Sequence, residues 1–204
     1  MTNELKFGKD TDAIRRHLSA EMPALNFIVW DLHPFIPHMH NWRKNIIFLE
    51  CDKVAVDSVS ERLGSKYPDR DVYAGIKKPA IKINRESREG IIVITAREAT
   101  KKREIEAKNP TIEKCLVDLL YYSMNEILPL SLSDILDLWT YYLVDTDSVR
   151  YRDLYRYSMR RYLGWFVSIF AYELSSRYKI KVEGRHIRRG QRNMELISKV
   201  GKLG

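Results

Sequence analysis

The chain predicts an α/β (α+β) fold, with a mixed sheet covered by helices in the first half and a helical C-terminal half after it. Three observations carry this. Ile46–Leu49 and Ile91–Ile94 are unbroken apolar runs rich in β-branched residues, the pattern of strands buried on both faces. Residues 45–74 alternate strand, helix, strand, which asks for helices lying on a sheet. From Asn109 onward apolar residues recur at helical spacing instead.

In chain order, residues 11–20 predict a first helix, with Thr11 or Asp10 as cap and Ile14 and Leu18 one turn apart. Pro23 ends it, and residues 24–30 read as a buried strand stopping at Asp31. His33–Trp42 holds two prolines and connects to the next strand, whose apolar run ends in Glu50, Cys51, Asp52 and Lys53. Asp52 or Lys53 opens a helix with Val56, Val59 and Leu63 on one face. Extended pieces follow at Val72–Ala74, Ala80–Ile83 and Ile91–Thr95. The charged run 97–108 marks the boundary between a sheet subdomain, 1–106, and a helical subdomain, 107–178.

Asn109 and Pro110 suit the start of the next helix, with Ile112, Cys115, Leu116, Leu119 and Leu120 as its stripe. Pro129 stops it. Ser131 with Asp134 forms a capping-box pattern ahead of Ile135, Leu136, Trp139 and Leu143. Residues 145–147 can cap a third helix carrying Leu154 and Tyr155, and a fourth runs to about Arg177, burying Leu163, Phe166, Val167, Phe170 and Leu174. Residues 179–204 are basic and poor in apolar groups. They predict a mobile tail with room for one short strand at Ile180–Val182.

The formal charge of +8 is unevenly placed. From residue 150 to the end there are 14 Lys+Arg against 4 Asp+Glu, while the first 149 residues hold 21 against 23. Such an imbalance points to an anionic partner, or to a solvated basic surface. Cys51 and Cys115 fall at apolar positions and read as free core thiols in a reducing compartment. The N-terminal segment lacks an apolar h-region, and Tyr162–Leu174 is shorter than the roughly 20 residues that span a bilayer. A cytoplasmic protein with no membrane partner is the expectation.

Three residue sets can carry chemistry. Asp31, Glu50, Asp52 and Lys53 close two strands; carboxylates there could hold Mg2+ and the lysine orient water, as in a metal-dependent nuclease of restriction-endonuclease-like type. The spacing Glu50-x-x-Lys53 departs from the Asp/Glu-x-Lys pattern, and Asp52 is equally placed to cap the helix after it. His33, His38 and His40 lie close in sequence without a completing ligand, so no metal is expected. The third set is basic. Arg150, Arg152, Arg156, Arg160 and Arg161 interleave with tyrosines, positions 152, 156 and 160 being one helical turn apart. Arg185, Arg188, Arg189 and Arg192 follow. Arginine mixed with tyrosine suits phosphate contact and base stacking, and also suits an acidic protein partner. There is no phosphate-binding glycine loop, nucleophile elbow or HExxH motif. A binding protein without a cofactor is therefore expected ahead of an enzyme.

Three stretches taken together resemble the C-terminal domain of AbiEi-like antitoxins and transcriptional regulators of bacterial abortive-infection systems. They are VWDLHPFIPH with NIIFLECDK, then PTIEKCLVDLL (110–120), then LYRYSMRRY (154–162), covering roughly residues 24–162. The resemblance implies a non-enzymatic antitoxin or regulator of a toxin–antitoxin or phage-defence system, with nucleic acid and a nucleotidyltransferase-like toxin as partners. In that family an N-terminal winged helix binds the operator; here only about 25 residues precede the first strand. What carries over is a stand-alone antitoxin-like domain, with the basic helix and tail as its nucleic-acid surface.

Overall fold

A computed structural model describes residues 5–39, 45–75, 90–97, 100–125, 127–128, 130–146, 148–177 and 184–200, the last with backbone course only at 184–186 and 196–200. The chain divides into two compact units, Met1–Leu138 and Trp139–Gly204.

The first unit is built on a four-stranded mixed sheet. Helix α1 (Lys9–Glu21) precedes strands β1 (Phe27–Asp31) and β2 (Ile46–Cys51). Helix α2 (Val56–Lys66) leads to β3 (Asp71–Ala74), and β4 (Ile91–Ala96) follows. The strand order is β1-β2-β4-β3. β1 is antiparallel to β2, with Phe27 opposite Cys51 and Asp31 opposite Ile47, whereas β2, β4 and β3 run parallel. The second expected strand, at Ala80–Ile83, lies outside the described residues.

Alternation sorts the strand residues onto two faces. Phe27, Val29, Ile47, Leu49, Cys51, Ile92 and Ile94 pack with Ile14 and Leu18 of α1 and with Val56, Val59 and Leu63 of α2. The other face carries Trp30, Phe48 and Glu50. Trp30 stacks on Phe48 at 4.2 Å between ring centroids, and Phe48 stacks on Tyr122 at 5.3 Å. Both faces are covered, which is why the strands read as continuous apolar runs and not as alternating ones. The free edge of β1 is closed too: Val29 N–H donates to the Lys108 carbonyl at 3.3 Å.

Tyr122 belongs to helix α4 (Ile112–Met124), which follows the short α3 (Lys102–Ala107). The buried Glu104 carboxylate joins the two helix starts, accepting from the backbone N–H of Lys101 and of Thr111 at 2.8 Å each. Thr111, not Asn109, therefore occupies the N-cap position of α4. The division of the chain falls after residue 138, later than the 106/107 boundary that the charged run predicts. The reason is visible in α4, whose Tyr122 and Lys114 bind it to β2. Helix α5 (Leu132–Thr140) begins with the expected capping box: Asp134 N–H donates to Ser131 Oγ at 3.1 Å and Ser131 N–H donates to the Asp134 carboxylate at 3.3 Å.

The second unit is helical, with α6 (Tyr151–Arg160), α7 (Gly164–Arg177) and α8 (Gly184–Val200). α8 corrects the expectation of a mobile tail over 179–204; residues 178–183 and 201–204, including the strand expected at Ile180–Val182, lie outside the described residues. Gly190 explains the helix. A Cβ there would come within 2.0 Å of the Ser168 carbonyl oxygen and 2.7 Å of Tyr172 Cβ, so the glycine lets the α8 and α7 backbones meet directly. Among the described residues no helix is long and apolar enough to cross a membrane.

Candidate functional site: an arginine and aromatic surface on the helical unit

The acidic set does not converge. Because β1 and β2 are antiparallel, Asp31 pairs with Ile47, three residues from Glu50, which is roughly 10 Å along the strand. The two side chains also stand on opposite faces of the sheet. Each has its own structural partners. Asp31 is fully buried and accepts from Gly8 N–H at 2.8 Å, His33 N–H at 2.9 Å and the Thr11 hydroxyl, which fixes the start of α1 against the end of β1. Glu50, also fully buried, accepts from Lys114 Nζ at 2.6 Å, and Lys114 donates to Asp118 one turn along α4 at 2.5 Å. Thr100 Oγ1 approaches Glu50 at 3.4 Å.

Asp52 does not cap α2 with its side chain; its carboxylate holds Arg97 at 2.5 Å. Lys53 is exposed. His33 is exposed, His38 half-buried, and His40 lies outside the described residues, among which no group of His, Cys, Asp and Glu could hold a metal ion. Cys51 and Cys115 are buried free thiols. Burial, with Asp52 adding to it, pushes the Cys51 thiol up to about 12, and burial raises Cys115 well above 9.0. Neither is an available nucleophile near neutral pH.

The basic set does gather, on the second unit. α6 shows Arg152, Arg156 and Arg160 to solvent on one stripe, with exposed Arg150 at its N-cap position. Exposed Arg188, Arg189 and Arg192 come from α8. The two helices are joined where Arg189 Nη1 donates to the Tyr155 hydroxyl at 2.8 Å. Asn193 Nδ2, one turn farther along α8, approaches the Trp165 carbonyl at 3.3 Å. Arg161 is the exception, being only 6% exposed. α6 ends at Arg160, so the next residue leaves the helical projection and turns inward. The Arg185 side chain lies outside the description. Charge follows the same division: residues 139–204 hold 14 Lys+Arg against 6 Asp+Glu, leaving 21 of each for the first unit.

Sequence reasoning missed the partners of the acids, although Lys114 and Asp118 are opposite charges spaced i, i+4 within a helix otherwise apolar from 115 to 120. It also missed Trp165, which is 43% exposed and follows Tyr162, 89% exposed, by three residues. The model of DUF6577, a family of unknown function, matches residues 4–170, taking in the whole sheet and α6 but not α8. No curated protein and no solved structure matches. With well over half of its length matched, the chain belongs to the DUF6577 family.

Proposed function

We propose that the protein is a cytoplasmic, non-enzymatic regulator or antitoxin-like protein that acts by binding nucleic acid, with a nucleotidyltransferase-like toxin as its second partner. One observation supports the first part above the rest: the exposed, arginine-rich faces of α6 and α8, linked through Arg189 and Tyr155. Arginines spaced a turn apart match repeating phosphates and release counterions when they bind. The toxin partner rests on the sequence resemblance. In its second stretch, 110–120, Lys114 and Asp118 sit in the buried ion cluster, so that stretch speaks for what holds the domain together and not for a docking face.

No metal enters this reading; that Asp31 and Glu50 stand on opposite faces of the sheet supports it over the nuclease alternative. A salt titration on a short oligonucleotide tests the binding claim. Affinity is expected to fall linearly on a log–log plot, with a slope of about −0.7 to −0.9 for each phosphate neutralised, and to be the same within about twofold in EDTA. Absence of binding at low salt, or a flat slope, would remove it.

A further inference from the structure

We infer that the surface takes single-stranded nucleic acid in preference to duplex, with Tyr162 and Trp165 as the stacking platform for unpaired bases; this rests on the binding reading above. The argument starts at the end of α6. Leu163 N–H donates to the Ser158 carbonyl at 2.8 Å and Tyr162 N–H to the Met159 carbonyl at 3.3 Å, the bonding of a helix end that turns through a left-handed residue. That residue is Tyr162, at φ 59°, where glycine is the usual occupant.

A bulky side chain in this region strains the backbone, and little is gained inside the fold in return, because Tyr162 is 89% exposed. Lys108, the other non-glycine residue in the left-handed region among those described, is different. Its Nζ donates to Ser19 Oγ at 2.6 Å and lies 4.8 Å from the centre of the Phe27 ring. Lys108 is held for its contacts; Tyr162 is held out toward solvent.

Its neighbours suit the same ligand. Met159, 46% exposed, and Trp165, 43% exposed, lie three residues before and after Tyr162 in the chain, with exposed Arg160 between; Asn193 of α8 reaches the Trp165 carbonyl at 3.3 Å, and Arg189 reaches Tyr155 farther back along α6. Duplex DNA hides its base faces and offers phosphates, for which arginines alone suffice. Exposed aromatic rings between arginines become useful when bases are unstacked, because every base has a π-face to lay on them.

The experiment compares a labelled oligothymidylate of about 20 nucleotides with a duplex of equal length, by anisotropy, using the full chain. Wild type is expected to prefer the single strand. Tyr162→Gly should melt at the same or a higher temperature, since glycine relieves the left-handed strain. The same variant should bind the single strand at least about fivefold more weakly and the duplex within about twofold. Trp165→Ala should behave likewise in binding. Equal affinity of wild type for both ligands, or Tyr162→Gly binding the single strand as wild type does, overturns the inference while leaving duplex binding intact. Failure of wild type to bind either oligonucleotide at low salt overturns the binding reading and this inference with it.

Discussion

The two units handle charge in opposite ways. In the first, basic and acidic residues balance in number, and buried charges are met inside the fold: Glu50, Lys114 and Asp118 are at most 1% exposed and bonded within 2.6 Å, while Asp31 and Glu104 accept from backbone N–H groups. In the second, basic residues outnumber acidic ones and many stand on exposed helix faces, as Arg156 does, 3.7 Å from Asp153. A buried charge without a partner is costly, so the first arrangement is about folding. An exposed arginine row costs the fold little and suits an anionic partner outside it.

The largest expected effect breaks the first arrangement. Lys114→Met leaves two buried carboxylates without their cation and should cost about 3–5 kcal/mol in denaturant unfolding. Replacing Glu50, Lys114 and Asp118 together by apolar residues should recover part of that loss, because desolvation of three ions is then avoided. Gly190→Ala comes next. It forces a methyl onto the Ser168 carbonyl and should destabilise the second unit by about 1–3 kcal/mol, read as lost helical signal on heating. Asp31→Ala strips a shared acceptor from Gly8, Thr11 and His33, and should lower stability by about 1–3 kcal/mol while leaving oligonucleotide affinity unchanged.

The last effect is absent at neutral pH and appears only in alkali. The Cys51 thiol is raised from 9.0 to about 12 by burial, so the folded state holds its proton more tightly than the unfolded chain does. The stability linked to that proton is fully present below pH 9.0 and is lost as the pH climbs toward 12. An alkaline shift in melting temperature that shrinks in Cys51→Ala checks it. Both thiols should also resist a disulfide reagent at neutral pH until the chain is unfolded.

Much of the fold was legible because its signals are local. The strand runs at 46–49 and 91–94, the apolar faces of α2 and α4, and the Ser131–Asp134 box each lie within a dozen residues. What escaped depends on distance along the chain. Whether Asp31 and Glu50 share a strand end turns on the direction of β1, which neither strand encodes alone. Glu50 looked like a site or a cap because its partner lies 64 residues away. The last helix escaped for a related reason: its polar residues argue against order, and only its meeting with α7 at Gly190 shows what holds it. The arginine stripe of α6 was readable from spacing alone, but not the inward turn of Arg161, which depends on where the helix stops.

The division of charge between folding and binding is tested most directly by reversing the stripe. Arg152→Glu, Arg156→Glu and Arg160→Glu are combined in one chain, and its oligonucleotide affinity is measured beside wild type at the same low salt. The affinity should fall by at least about tenfold while the unfolding free energy moves by no more than about 1.5 kcal/mol for three exposed sites. Unchanged affinity would contradict the account, whatever happened to stability.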